Sequence, residues 1–338
     1  MEIIRSKYAG ACYGVNRALS ILDNAIEGSR VVCGAEVDSV AGAGSIAGAD
    51  SVAGVGSIAG ADSVAGVGNV AEAGSDSVGD VGIGSDMVGS CEIYTLGPLI
   101  HNPQVTRELR SRGVKEADSI NDINSGIMVI RSHGVALEVI EQAERKGLIV
   151  MDATCPHVTK AQVAARQLKE QGYLVLIVGE LGHPEVEGIR AYAGNQAIVA
   201  QEPRDLPEAF ESDNIGIVVQ TTQTESSLEL IVRELVGRGF EPVVRDTICF
   251  ATKQRQEAAI ELAGNVDAMV VVGGRNSGNT TRLAQLCTKV CRNTHHIESA
   301  EELDPAWFVG VGVVGITAGA STPENQIIAV EKTLENLL

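Results

Sequence analysis

The feature that most restricts this chain is a regular alternation of short Val/Ile-rich runs with stretches of helical periodicity. Apolar runs recur at 127–131 (IMVIR), 148–152 (LIVMD), 173–178 (YLVLIV), 196–200 (QAIVA), 215–219 (IGIVV), 267–272 (DAMVVV) and 311–316 (VGVVGI). Glycine or polar residues bound each run, as expected of strands buried on both faces. Between them, 104–113, 136–147, 157–171, 225–238, 253–264, 280–291 and 324–338 read as helices. Such alternation builds an α/β fold with parallel sheets, either several or one large one.

In open α/β sheets, ligands bind beyond the carboxyl ends of the strands. Here nearly every polar candidate falls there. IYT leads to LGPLIHN with His101, IMVIR to SHG with His133, and LIVMDAT to Cys155. YLVLIVGE leads to LGHPEVEG with His183, Glu185 and Glu187, and IGIVVQ to Thr221 and Thr222. PVVRDTI leads to Cys249, AMVVVGG to RNSGNT with Ser277, Gly278 and Asn279, and VGVVGI to TAGAST with Ser321. Satisfied core polars would scatter over the fold, so these residues read as one shared site.

The seven cysteines fall into classes. An odd count in a long chain argues against a disulfide framework. DATC (152–155) and DTIC (246–249) both end a strand with an acidic residue and a threonine before a cysteine that opens a helix. Cys12 likewise precedes a helical stretch from Asn16 to Glu27. The chain thus reads as three similar α/β units, each presenting one cysteine at the positive end of a helix, where a thiolate is favoured. No C-x-x-C pair occurs, which excludes a zinc ribbon or a ferredoxin-like motif. Three thiolates would leave a four-iron cluster with one iron free of protein, the open position that a catalytic site needs. Cys33 and Cys91 read as ordinary thiols. Cys287 and Cys291 read as buried helix-face residues in preference to a metal site with His295 and His296.

The run GGRNSGNT at 273–280 approaches a P-loop, but Asn279 stands where the lysine belongs, so an NTPase is not expected. A Gly-rich turn at a helix N-terminus still favours an anion, and TAGAST at 317–322 is a similar turn. With His101, His133 and His183, these turns form a cradle for a phosphate or diphosphate. His157, His295 and His296 read as structural. In an extended loop, His183, Glu185 and Glu187 would point to one side, and a carboxyl beside a histidine can serve as general acid or proton relay.

Composition excludes one class of partner and isolates one segment. A net charge of −18, with 26 basic against 44 acidic residues, and 3% aromatics argue against nucleic-acid binding. Residues 34–90 carry 14 of the 38 glycines and eight acidic residues, with no Lys, Arg, aromatic or Pro. Within them, 39–74 repeats in sixes (SVAGAG, SIAGAD, SVAGVG, SIAGAD, SVAGVG, NVAEAG). A β-helix coil and a flexible low-complexity insertion compete, and too few large side chains favour the flexible or weakly ordered reading. No signal peptide and no membrane span is read, which points to the cytoplasm. The expected division is a first unit of 1–33 with 91–154, the insertion at 34–90, a second unit at 155–246 and a third at 247–338.

Nine motifs in order resemble the 4-hydroxy-3-methylbut-2-enyl diphosphate reductase family of the non-mevalonate isoprenoid pathway. They are ACYGVNRAL, TLGPLIHNPQV, RSHGV, DATCPxVTK, GHPEVEG, QTT, DTICxATxxRQEA, SGNTxRL and TAGASTP. The resemblance spans about all of 1–32 and 91–338. It implies three pseudo-symmetric α/β units around a central [4Fe-4S] cluster, one per chain, held by Cys12, Cys155 and Cys249 with one iron not bound by protein. His101, His133, His183, Ser277, Gly278, Asn279 and Ser321 would surround the substrate diphosphate. Glu185 would deliver a proton and Thr221 would lie near the substrate hydroxyl. The implied reaction is a two-electron reductive dehydroxylation giving isopentenyl and dimethylallyl diphosphate, with electrons from a ferredoxin or flavodoxin. Two other readings remain open: a cluster-dependent hydro-lyase, and a non-enzymatic cluster-bearing electron carrier. The departure from the family's pattern is the insertion at 34–90.

Overall fold

The computed structural model describes residues 1–32, 91–194 and 196–337. The insertion at 34–90, with Cys33, lies outside the described residues. Among the described residues, strand β1 (Glu2–Arg5) opens the chain, and eleven more strands follow Cys91. They form three four-stranded sheets, parallel throughout.

One sheet contains β2 (Ile93–Leu96), β3 (Val114–Ala117), β4 (Ile127–Ile130) and β5 (Ile149–Asp152), in the order β3-β2-β4-β5. A second contains β6 (Leu174–Val178), β7 (Ile198–Ala200), β8 (Ile215–Val219) and β9 (Val243–Arg245), in the order β7-β6-β8-β9. The third contains β10 (Ala268–Val272), β11 (Thr294–Ile297) and β12 (Val313–Ala318), and its remaining place is filled by β1, in the order β1-β12-β10-β11. All three orders are the same pattern. The first and third strands of a unit are neighbours, the second flanks the first, and the fourth flanks the third.

The sequence groups residues 1–33 with the first unit, yet β1 pairs with β12 at Glu2↔Val313 through Arg5↔Ile316. The strand takes the place beside β12 that β5 and β9 take beside β4 and β8 in the other two sheets. The helix that follows, α1 (Tyr13–Val32), packs Val15, Ala18 and Leu22 against Ile93, Ile127 and Val129 of the first sheet. The N-terminal segment therefore ties two units together.

The inner strands show why the sequence gives continuous apolar runs. In β4, Ile127 and Val129 face α1 and α2 (Pro103–Ser111), while Met128 and Ile130 face the other side, with Ala143 of α3 (Leu137–Arg145). In β6, Val175 and Ile177 pack on α4 (Pro156–Glu170) and α5 (Pro184–Ala193). Its Leu176 and Val178 pack on α6 (Glu225–Gly237). In β10, Val270 and Val272 face α9 (Glu324–Asn336), and Met269 and Val271 face α7 (Phe250–Ala263) and α8 (Gly278–Val290). A strand covered on both faces has no solvent side, so the period-2 signal vanishes. Among the described residues, no helix is long and apolar enough to cross a membrane.

Candidate active site

Each unit places its chemistry by the same rule. The switch point of such a sheet lies between its first and third strands, where the connecting loops diverge and leave a crevice. The loops leaving β2 and β4 carry His101 and His133; the connections leaving β6 and β8 carry His183, Glu185 in the first turn of α5, and Thr221; those leaving β10 and β12 carry Ser277, then Gly278 and Asn279 in the first turn of α8, and Ser321. The fourth strands, β1, β5 and β9, lead to Cys12, Cys155 and Cys249. All twelve residues line a single cleft.

The cysteines sit in one repeated backbone setting. The Cys12 N–H donates to Ala320 O at 3.0 Å, Cys155 to Ser132 O at 2.9 Å and Cys249 to Thr221 O at 2.9 Å. Each acceptor lies just past the third strand of its own sheet. Each cysteine carbonyl in turn accepts a bond from the first helical turn, from Asn16, Thr159 and Lys253 respectively. The DATC and DTIC similarity has a physical basis: Asp152 accepts from the Thr154 N–H at 2.8 Å, and Asp246 from the Ile248 N–H at 3.0 Å. These Asx turns fold the chain so that the cysteine becomes the N-cap of α4 or α7. A Cβ on Gly14 would lie 2.5 Å from Cys155 Sγ and 3.9 Å from Cys12 Sγ, so only glycine lets α1 begin beside both thiols. Among the described residues, no His/Cys/Asp/Glu group is close enough to hold a single metal ion. A set of three separate thiols at helix N-termini instead suits a multi-iron group, whose protein ligands bind different irons.

The histidine end of the cleft is paired differently. The rings of His101 and His133 lie 4.2 Å apart between centroids, with His183 at 5.4 and 5.7 Å from them. Burial drives His101 and His183 down to about 4 and His133 well below the ordinary histidine value, and the charge of Arg131 adds to each shift. The three rings are therefore neutral at pH 7. His183 Nδ1 accepts the Glu185 N–H at 3.1 Å, which leaves the ring proton on Nε2. Both nitrogens of His101, Nδ1 of His133 and both side-chain polar atoms of Asn279 are buried without a partner. Such atoms cost free energy unless a ligand or water satisfies them. Ser277 N-caps α8, which aims its first N–H groups at this end, while Ser321 Oγ donates to His101 O at 3.0 Å. Gly134, at φ +71°, makes the turn that follows His133, and a Cβ there would lie 2.6 Å from Gln162 Nε2.

Glu185 lies between the two ends and is 2% exposed. The Thr221 N–H donates to its Oε1 at 2.6 Å, and Thr221 Oγ1 donates to its Oε2 at 3.0 Å. Burial raises its carboxyl to about 7, and the two Thr221 bonds pull the other way. Desolvation wins because no cation neutralises the carboxylate. The extended-loop expectation for 183–187 is corrected here. His183 is the N-cap of α5, with Pro184 first in the helix, so the period is 3.6 and Glu187 turns outward to solvent, near Arg190.

Other expectations resolve as follows. His157, read as structural, is exposed and lines the cleft. His295 stacks on Trp307 and His296 bonds Gly273 O, both away from the cleft. Cys287 and Cys291 are buried against Ala259, Ala263 and Leu283, and burial pushes the Cys287 thiol up to about 12. Cys91 is disulfide-bonded, not an ordinary thiol. Sequence reasoning missed the buried Arg255 and the half-buried Arg131 and Arg282, all three held below the usual arginine value by desolvation. For Arg255 a signal existed, because it falls on the inward stripe of α7 with Thr252, Gln256, Ala259 and Ala263.

Residues 83–335 match the family model described as LytB protein. The chain belongs to the LytB family. Among curated relatives, the 4-hydroxy-3-methylbut-2-enyl diphosphate reductase of Pelobacter propionicus is 50% identical over 231 residues, covering 68% of this chain and 82% of the relative. The reductase of Geotalea uraniireducens is 47% identical over 244 residues, covering 72% and 86%. A solved structure, that of an (E)-4-hydroxy-3-methyl-but-2-enyl diphosphate reductase called the terminal enzyme of the non-mevalonate pathway, superposes with a TM-score of 0.62 at 35% identity, covering 99% of this chain and all of its own. The reductase structure from Plasmodium falciparum, at 22% identity, a TM-score of 0.75 and coverage of 100% and 87%, shares the fold.

Proposed function

We propose that this chain reduces 4-hydroxy-3-methylbut-2-enyl diphosphate to isopentenyl diphosphate and dimethylallyl diphosphate. The observation that carries the reading is one cleft holding three N-cap thiols, a buried carboxyl poised near pH 7 and an unpaired neutral histidine–asparagine cluster. Neither an electron carrier nor a simple metal store needs the last two.

Cys12, Cys155 and Cys249 would hold the [4Fe-4S] cluster, leaving one iron without a protein ligand. When bound, the cluster supplies electrons and a Lewis-acidic iron at the substrate hydroxyl. The chain's own residues do the rest. His183 donates from Nε2 to the diphosphate, and His101, His133 and Asn279 offer the donors that are otherwise unpaired. The N-terminus of α8 at Ser277, Gly278 and Asn279 adds backbone donors, and Ser321 lies beside them. Together they orient the allylic chain so that its hydroxyl reaches the thiol end.

Hydroxide is a poor leaving group, so the C–O bond breaks only if the oxygen is protonated. Glu185 is about half protonated at pH 7 and can pass its proton through the Thr221 hydroxyl, 3.0 Å away. The balance is one C–O bond broken, two electrons and two protons consumed, and one water and one C–H bond formed. Protonation at either end of the allyl unit yields the two products. The electrons come from a ferredoxin or flavodoxin.

The test is anaerobic reconstitution with iron and sulfide, followed by assay of the hydroxylated diphosphate with and without a low-potential reductant. Both diphosphate products are expected only with the reductant. Turnover without reductant would sink the reductase reading in favour of a hydro-lyase. A redox-active cluster with no turnover either way would favour an electron carrier.

A further inference from the structure

Arg255 is a full positive charge in the interior, 4% exposed, on the inward stripe of α7. Its Nη2 donates to Gly10 O at 2.8 Å, two residues before Cys12. Its Nη1 donates to Ala251 O at 3.2 Å, two residues after Cys249. Its Nε is buried with no partner. No carboxylate pairs with it among the described residues, although a buried, unneutralised cation is among the costlier features a fold can carry. The groups that favour its charge are the thiols of Cys12 and Cys249, and it lines the same cleft as all three cysteines.

We propose that Arg255 is a positioning residue that serves as the fixed counter-charge of the thiolate-held metal group, making that group easier to reduce. This rests on the reading of the three cysteines as cluster ligands. Three thiolates bring three negative charges into a half-buried site, and reduction by a one-electron donor adds one more, with no bond made or broken. A cation held by two backbone carbonyls cannot move away as that charge arrives, so it stabilises the reduced form more than the oxidised one. The Gly10 bond also holds the Cys12 loop against the helix that Cys249 caps. The two tasks separate by substitution, because only the first depends on charge.

The experiment is an anaerobic redox titration of the reconstituted full chain, followed by electron paramagnetic resonance, with iron counted per chain. Arg255→Met, which keeps the apolar stem, is expected to bind iron as the wild type does and to show a lower midpoint potential. Arg255→Lys is expected to stay near the wild-type potential. If Arg255→Met does not fold, Arg255→Gln takes its place with the same expected fall. An iron-loaded Met or Gln variant with an unshifted potential would overturn the proposal. So would a Lys variant whose potential falls as far as that of the neutral ones. A wild-type chain that takes up no iron would overturn the cluster reading itself, a result distinct from an unmoved potential.

Discussion

At the thiol end of the cleft, the three cysteines have their backbone groups paired in the same way, each bonded to the loop after a neighbouring strand and each capping a helix. At the histidine end no such repetition exists. His101, His133 and Asn279 keep buried polar atoms unpaired, and each comes from a different local structure. The contrast teaches what each end must accommodate. A metal group needs ligands at set places, which backbone geometry supplies. An anion brings its own acceptors, and the protein meets them with donors left open.

The largest expected effect breaks the thiol end. Cys155→Ser should lose cluster iron and fall in turnover by ~100-fold or more, read by iron analysis and the reductant-dependent assay. Equal iron in the variant and the wild type would mean that the shared backbone setting serves packing only. Glu185→Gln is expected next: iron retained, turnover reduced by about 10²–10⁴. Full activity would remove the carboxyl from the chemistry.

At the histidine end, Asn279→Ala should weaken binding of either diphosphate product by roughly 5- to 150-fold, the range expected when 1–3 kcal/mol of buried pairing is lost. Calorimetry on the iron-loaded protein checks it, with iron content unmoved.

The pH profile sharpens the same contrast. The acid form of Glu185 is lost as pH rises through about 7, so turnover should decline above that point, by up to tenfold per unit. His101 and His183, at about 4, stay neutral from pH 5 upward. Product affinity should therefore show no histidine step between pH 5 and 8. A step near 6.5 would mean that the rings bind the diphosphate as cations. The smallest effect belongs to the other cysteine class. Cys287→Ser should keep its iron and turnover and cost ~1 kcal/mol of stability by thermal unfolding, because it places a hydroxyl in an apolar cluster.

Much of this site is legible from local pattern. Each of the twelve cleft residues lies in the loop or the first helical turn that follows a strand, and strand ends can be read from Val/Ile runs and their glycine borders. Glu185 was legible as a candidate but not in its setting. The turn of α5 that buries it and exposes Glu187 depends on His183 accepting the Glu185 N–H, a bond no periodicity announces. Arg255 shows a second limit. Its charge is visible in the sequence, but its burial beside two thiol-bearing loops depends on Gly10, 245 positions away in the chain.

By itself, the sequence determined the α/β class, the edge of the sheets that bears the chemistry and the three cysteines that open helices. These follow from interactions within a few residues: side-chain periodicity, Asx turns and helix caps. Only the tertiary structure decided how the pieces share sheets and charges. Strand β1 completes the third sheet across 311 positions, at Glu2↔Val313, and so brings Cys12 to the same cleft as Cys155 and Cys249. The values of about 4 and about 7 for the buried histidines and Glu185 arise there too. Desolvation is set by everything packed around a group, and most of that comes from elsewhere in the chain.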